Sequence, residues 1–161
     1  MEAIQPRTRA AVLRIAEWQE GVVEVPSGSN KVKYNTAYYG KAVSGRAFAW
    51  CLVFVWWVFR EAGFNLCKTA SCTAFVNRYR VFSPGQIVMR DYRPGDIVFF
   101  DFSGKRKKTE HCGIVTAVDG GNVRTVEGNT GTGNDANGGA VMRRTRRVGL
   151  VTCAIRPGYP D

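Results

Sequence analysis

The chain has 161 residues, which is long enough for one compact domain over residues 1–161 and short for two. Its composition is 45% apolar and includes nine Phe, six Tyr and four Trp, which excludes an intrinsically disordered chain. The formal net charge of +10 predicts a polyanionic partner, and nucleic acid, anionic lipid and anionic wall polymers all fit that charge.

The N-terminal segment has Arg7, Arg9 and Arg14 between its apolar residues. Because a signal peptide needs a continuous apolar stretch, we expect that this segment is not a leader. No run in the chain reaches the ~20 apolar positions of a membrane-spanning helix, so we also expect no membrane insertion.

Apolar positions recur with a helical period in the first half of the chain. They predict an amphipathic helix over residues 4–20, a buried helix over about 47–62 and a short helix over 73–79. The stretch between the first two helices, residues 22–45, is rich in Gly, Ser, Asn, Lys and Tyr. It predicts a long ordered loop or lid with a functional role.

After a Ser-Pro-Gly turn at residues 83–85, the apolar period becomes that of strands. Helices followed by strands predict an α+β fold, with N-terminal helices packed on an antiparallel β-sheet. The expected strands cover residues 97–102, 113–118, 123–127, 141–145 and 151–155.

Cys51 lies at the expected start of the buried helix. Unpaired backbone N–H groups and the positive end of the helix dipole favour a thiolate there, and the same N–H groups can receive an oxyanion. Cysteine is also among the most buried residue types, so an inert core thiol is the alternative for Cys51 taken alone.

His111 is the single histidine, which makes it the candidate for a base that titrates near neutrality. It starts an expected strand after the polar run 105–110, and a surface histidine is the alternative. Glu127 and Asn129 follow on the neighbouring strand if residues 113–118 and 123–127 form a hairpin. A carboxylate or amide there can accept the imidazole Nδ1–H and leave Nε2 facing the thiol. Ordinary polar residues of a turn are the alternative for these two.

Several segments in this order resemble the CHAP family, the cysteine, histidine-dependent amidohydrolases/peptidases. They are residues 50–57 (WCLVFVWW), 94–100 (PGDIVFF), 111–115 (HCGIV) and 127–130 (EGNT). Residues 28–35 (GSNKVKYN), 39–40 (YG) and 137–144 (NGGAVMRR) are similar to phage and prophage endolysins of Gram-positive hosts. The resemblance covers about residues 15–157.

The resemblance implies a papain-like fold, with Cys51 as nucleophile, His111 as base, Glu127 as the residue that orients the imidazole and Asn129 as a fourth polar member. Relatives that bind calcium do so through aspartates ahead of the cysteine. The first aspartate here is Asp91, so we expect no calcium.

The implied substrate is bacterial peptidoglycan, cut at an amide bond by two-step acyl transfer. An N-acetylmuramoyl-L-alanine amidase and a stem or cross-bridge endopeptidase need the same site chemistry, so both remain open. Anionic wall polymers fit the charge as an additional partner. We expect a monomer that does not act on nucleic acid. We further expect synthesis in the host cytoplasm, release of the holin type and action on the cell wall.

Four aromatic residues are candidates for lining the substrate groove, with a place in the core as the equal alternative. They are Tyr34, Tyr38, Tyr39 and Trp50. The run 143–147 carries four arginines and indicates a solvated edge strand, on which Arg144 and Arg146 share one face.

Five cysteines with one histidine, scattered along the chain, do not match the paired spacings of a structural zinc site. We therefore expect no metal and no cofactor. Cys67 and Cys72 are close enough in sequence to pair, but free thiols are the simpler expectation without a leader.

Two other functions remain open. One is a bacterial autolysin with the same chemistry. The other is a basic module that binds wall polymer or nucleic acid and has no catalytic activity.

Overall fold

The computed structural model describes residues 3–161 and contains four α-helices and six strands in that range. The helices are α1 (Arg9–Trp18), α2 (Lys33–Tyr39), α3 (Cys51–Glu61) and α4 (Cys72–Phe82). The strands are β1 (Ile87–Val88), β2 (Ile97–Phe100), β3 (His111–Asp119), β4 (Asn122–Thr130), β5 (Ala140–Arg147) and β6 (Val151–Ile155). Within the same residues, no helix has both the length and the apolar character needed to cross a membrane.

Capping residues set two helix starts that the apolar pattern misplaced. Thr8 accepts a hydrogen bond from the Ala11 N–H, so α1 begins at Arg9 and not at residue 4. Ser71 accepts one from the Ala74 N–H, and α4 then continues to Phe82, three residues beyond the expected end.

The long loop expected over residues 22–45 is wrong in part, because α2 lies within it. This helix has only seven residues, too few for a helical period to stand out, and it ends at Gly40 with a φ of +73°. Strand β1 was also missed, since two residues carry no periodic signal.

All six strands form one antiparallel sheet in the order β1-β6-β2-β3-β4-β5, which confirms the α+β prediction. The two faces of the sheet bury different residues. Ile97 and Phe99 face the main core, which includes most of α3, whereas Val98 and Phe100 belong to a smaller cluster on the opposite face.

This alternation also separates two neighbouring residues at the start of β3. His111 lies opposite Phe100 and shares its face, while Cys112 lies opposite Phe99 and points into the main core. The functional site is therefore assembled around the end of a strand, with groups from both faces.

Candidate active site

Cys51 is the first residue of α3. Trp50 precedes it and provides no side-chain cap, and the first helical hydrogen bond runs from the Phe54 N–H to the Trp50 carbonyl at 2.9 Å. The N–H groups of residues 51–53 consequently have no acceptor inside the helix. The thiol thus lies where the helix dipole and free donors stabilise negative charge.

Two further thiols lie beside Cys51. Cys72 is the first residue of α4 and Cys112 the second residue of β3, and the three Sγ atoms lie within 4.8 Å of one another. The Cys51 and Cys72 Sγ atoms are 3.9 Å apart, and all five cysteines are free. The scattered spacing in the sequence did not reveal this cluster, because three separate elements bring the thiols together.

His111 is fully buried, and its Nε2 lies 2.8 Å from Oε1 of Glu127. The other ring nitrogen, Nδ1, is buried without a hydrogen-bond partner of ordinary geometry, and it is the nitrogen left to act on Cys51. The sequence-based expectation assigned the two nitrogens the other way round and was wrong. Which nitrogen meets the carboxylate depends on how the ring leaves the strand, and spacing carries no information about that.

Glu127 is a fully buried carboxylate with three hydrogen-bond partners. Its oxygens accept hydrogen bonds from His111, from Thr125 Oγ1 at 2.5 Å, and from Arg146 through Nε at 3.1 Å and Nη2 at 2.6 Å. Arg146 also reaches Asp135 with Nη1 at 2.7 Å. Since the guanidinium neutralises the carboxylate, Glu127 can remain charged although it is shielded from solvent.

Gly113 allows Glu127 to reach the imidazole. Ile114 lies opposite Val126, which puts Gly113 opposite Glu127 on the face that His111 shares. A Cβ atom at Gly113 would lie 2.6 Å from Cγ of Glu127. The carboxylate side chain therefore crosses the space that any other residue would fill.

The contacts around Cys51 favour an ion pair. Interactions with Cys112, Cys72 and His111 outweigh burial and hold the pKa of the Cys51 thiol well below its ordinary value of 9.0. Burial lowers the pKa of His111, but interactions with Cys51 and Glu127 outweigh burial and raise that pKa to about 9. Both shifts favour a thiolate and an imidazolium over a neutral thiol and imidazole.

The two neighbouring thiols stay protonated. Burial and the contact with Cys51 raise the pKa of Cys112 well above 9.0. The interaction with Cys112 lowers the pKa of Cys72, but the contact with Cys51 and burial outweigh it and raise that pKa well above 9.0. The negative charge of the cluster is thus concentrated on Cys51.

A comparison with known protein families matches the CHAP domain to residues 43–129, more than half of the chain. The chain belongs to the CHAP family. A comparison with curated protein sequences gives no match.

Solved structures share the fold of this CHAP domain. The wild-type endolysin LysIME-EF1 superposes with a TM-score of 0.60 at 14% identity, over 96% of this chain and 66% of that one. Ly7917 superposes with a TM-score of 0.53 at 18% identity, over 93% of this chain and 62% of that one. The structure of Ly7917 with the hydrolysing product of MDP gives a TM-score of 0.51 at 18% identity, over 93% and 63%. The CHAP domain thus spans less than two thirds of the length of these proteins.

Two of the four candidate groove aromatics belong to the core of the CHAP domain. Trp50 and Tyr34 are both fully buried and stack with ring centroids 5.6 Å apart. The Trp50 Nε1–H donates to Glu24 at 3.1 Å, and the Tyr34 hydroxyl donates to Gln19 at 2.9 Å. The prediction that these two line a substrate groove was wrong; they support the segment that leads into Cys51.

Tyr38 and Tyr39 are half-buried and pack against each other with ring centroids 4.7 Å apart. Tyr38 also packs on Trp56 and lies under the ammonium of Lys68 at 4.8 Å. These two tyrosines are accessible from solvent, and their contact with substrate stays a prediction.

Asn129 is buried at the end of β4 with a φ of +54°. Its side-chain Nδ2–H donates to Oδ1 of Asn137 at 3.2 Å, and its side-chain Oδ1 accepts from the Gly139 N–H at 3.2 Å. These hydrogen bonds hold the glycine-rich loop 131–139 and do not reach His111. The role of Asn129 as a fourth member of the site stays a prediction.

Hydrogen bonds hold the basic loop that precedes His111, residues 103–110, at both of its ends. The buried carboxylate of Asp101 accepts hydrogen bonds from the N–H groups of Ser103, Lys107 and Lys108, each at 3.0 Å. At its far end, the Thr109 hydroxyl lies 2.9 Å from that of Thr73, next to Cys72. These hydrogen bonds hold the loop at both ends and place it beside the thiol cluster.

Arg146 is the main site residue that sequence reasoning missed. The prediction of a solvated edge holds for its neighbour Arg143, which is exposed and pairs with Glu20, and β5 is an edge strand. It is wrong for Arg146, which is 6% exposed and bound to Glu127. The alternation of faces was the available signal, since it places Arg146 on the same face as Arg144 and away from Arg143.

Proposed function

We propose that the protein is a cysteine-dependent peptidoglycan hydrolase, with Cys51 as nucleophile, His111 as acid and base, and Glu127 as the residue that orients the imidazole. The observation that carries the proposal is a thiol at an uncapped helix start, with a low pKa, beside a buried imidazole that a carboxylate holds through Nε2. That arrangement performs acyl transfer.

In the first step, the Cys51 Sγ attacks the amide carbonyl carbon and the carbonyl electron pair moves onto oxygen. The N–H groups of residues 51–53 stabilise this oxyanion. When it collapses, the C–N bond breaks and the imidazolium gives its Nδ1 proton to the leaving amine.

In the second step, a water molecule gives a proton to Nδ1 as its oxygen attacks the thioester. The C–S bond then breaks, the carboxylic acid product leaves, and Cys51 is again a thiolate beside an imidazolium. Glu127 keeps Nε2 in place in both steps, because its hydrogen bond with the ring persists in either charge state.

Peptidoglycan as substrate is supported by the family and by the name of one structural neighbour, the endolysin LysIME-EF1. The net charge of +10 suits a wall that carries anionic polymers. The cleaved bond is either the N-acetylmuramoyl-L-alanine amide or a peptide bond of the stem or cross-bridge. Mass spectrometry of digested walls distinguishes them by which new amine appears.

Variants of the two reacting residues test the proposal. We expect Cys51→Ala and His111→Ala each to reduce the rate of turbidity loss of purified walls by at least about 10³-fold. Cys67→Ala is the matched control, because Cys67 lies outside the thiol cluster, and it is expected to clear walls like the wild type. Circular dichroism checks that each variant is folded.

The same experiment addresses the competing function of a non-catalytic basic module. In that case Cys51→Ala would retain all measurable function, and the protein would bind walls or DNA without turbidity loss. Clearance of walls by folded Cys51→Ala at the wild-type rate would overturn the assignment.

A further inference from the structure

The cluster of Cys51, Cys72 and Cys112 has a feature that acyl transfer does not require. One nucleophilic thiol is sufficient for that reaction, yet α3, α4 and β3 each contribute a sulfur atom to the same point. All three residues are buried. Three sulfurs that converge from separate elements form a donor set of the kind that soft metal ions prefer.

The spacing of the sulfurs suits a tetrahedral ion. Zinc thiolate bonds are about 2.3 Å long, and tetrahedral geometry then separates two sulfurs by roughly 3.8 Å. The Cys51 and Cys72 Sγ atoms are 3.9 Å apart, and Cys112 Sγ lies within 4.8 Å of both. Small side-chain movements are enough to bring all three to bonding distance.

His111 supplies an independent indication. Its Nδ1 is buried, lacks a hydrogen-bond partner and is the nitrogen not held by Glu127. It lies outside the group of atoms within 4.8 Å of one another, so the ring has to move toward Cys72 and Cys112 to share an ion with them. Its Nε2 is held by Glu127 at 2.8 Å. A histidine that binds a metal through one nitrogen while a carboxylate holds the other is the usual arrangement around protein zinc ions.

We propose that Cys51, Cys72 and Cys112, with Nδ1 of His111 as fourth ligand, form a binding site for a thiophilic divalent cation such as Zn²⁺. Binding releases the thiol protons of Cys72 and Cys112 and the Nδ1 proton of His111 to solvent. Three thiolates and a neutral imidazole then surround the ion in a closed, four-coordinate site.

The bound ion blocks acyl transfer, a consequence that rests on the proposed function of Cys51 and His111. The Sγ electron pair that attacks the carbonyl is shared with the metal, and Nδ1 no longer carries a proton for the leaving amine. Removal of the metal restores both groups. The site therefore makes the enzyme reversibly sensitive to zinc.

Metal binding is measured with Co²⁺ and Zn²⁺ as probes, under reducing conditions that exclude disulfides. We expect one Co²⁺ per chain, with a thiolate-to-cobalt charge-transfer band and the visible bands of tetrahedral cobalt. Zn²⁺ in equal amount removes these bands. Absence of the charge-transfer band in folded wild-type protein would overturn the proposal.

Variants of the two thiols that are not proposed as nucleophiles test the ligand set. Cys112→Val and Cys72→Ala are each expected to weaken zinc affinity by at least about tenfold, the least that loss of a ligand costs. Cys67→Ser is the control and is expected to bind zinc like the wild type. Zinc should raise the melting temperature of the wild type and not that of Cys112→Val, provided that both are folded without metal. Equal affinity in all three variants would contradict the proposed ligands.

Wall clearance with zinc and with EDTA then separates the two proposals. We expect zinc to abolish turbidity loss and EDTA to restore it. If the cobalt bands appear but metal-free protein leaves walls intact, the metal site stands and the proposed hydrolase function fails. If metal-free protein clears walls and no cobalt band appears, the hydrolase function stands and the metal site fails.

Discussion

Charges of alternating sign run from the half-exposed Asp135 to the buried Arg146, Glu127 and His111, and end at Cys51. Each member is held by a partner of opposite sign, so none is an isolated charge in the protein interior. Hydrogen bonds from His111 and Arg146 outweigh burial and lower the pKa of Glu127. The orientation of the His111 imidazole toward Cys51 therefore depends on the positions of a few atoms.

Gly113→Ala tests this dependence with a single methyl group. The new Cβ would lie 2.6 Å from Cγ of Glu127, whose carboxylate cannot rotate away without losing His111 or Arg146. A displacement of about 1 Å at a catalytic group costs roughly 10²-fold in rate, so we expect a decrease in wall clearance of that order. Chemical denaturation should show the variant to be folded.

Gly121→Ala is the matched control, because it lies in the same hairpin with no atom within 4 Å of the added Cβ. It is expected to clear walls at the wild-type rate. Full activity in Gly113→Ala would mean that the position of Glu127 does not limit the reaction.

Helix α3 sets the position of Cys51, and it packs closely against β4 at Gly128. Neighbouring residues of β4 face opposite ways, so Glu127 points to His111 while Gly128 meets Phe54 of α3. A Cβ at Gly128 would lie 2.5 Å from the Phe54 Cβ. The close approach of helix and strand brings Cys51 and His111 to the same end of the sheet.

Gly128→Ala is therefore expected to destabilise the protein. Overpacking of a dense interior costs about 1–3 kcal/mol of the free energy of unfolding, because Phe54 and α3 must shift. Urea unfolding measures this loss, and Gly149→Ala, where the added Cβ meets nothing within 4 Å, is the control. An unchanged urea midpoint in Gly128→Ala would show that α3 can move without cost.

The sequence predicted those elements and site residues whose signal is local. The buried helix and five strands follow from periodicity, and the β3–β4 hairpin brought Glu127 beside His111 as expected. Helix α2 is too short to show a period. The thiol cluster joins residues 21 and 61 positions apart, and such long-range contacts leave no local pattern.

The partner of Arg146 could not be predicted from the sequence. The alternation of faces along β5 places Arg146 on the inner side of the strand. Composition alone does not show which arginine of the run 143–147 is buried. Only the sheet order shows that the inward-facing arginine meets a carboxylate on β4.

Taken as a whole, the molecule combines a buried, internally neutralised site with a strongly cationic sequence. The acids of the site, Glu127 and Asp135, are paired with Arg146, while lysines such as Lys105, Lys107 and Lys108 are exposed. The net charge of +10 therefore acts apart from the buried site, as the proposed attraction to an anionic wall requires.

Binding to walls is expected to weaken as salt is added. The screening length falls from about 10 Å at 0.1 M to about 3 Å at 1 M ionic strength, so long-range attraction is lost over that range. Co-sedimentation of the Cys51→Ala variant with purified walls measures binding without cleavage. Walls stripped of their anionic polymers are the control and should bind less protein, with a smaller effect of salt. Equal binding at both salt concentrations would exclude charge as the targeting principle.

Glu24 limits where this domain can be cut for transfer into another protein. Its carboxylate accepts hydrogen bonds from the Trp50 indole and the N–H groups of Gly28 and Asn30, and the adjoining Val23 pairs with Ala140, the first residue of β5. The family match begins only at residue 43, downstream of this anchor. A chimera cut at that boundary would leave a buried indole N–H without its acceptor, one residue before the nucleophile. The portable unit has to include the segment that carries Glu24.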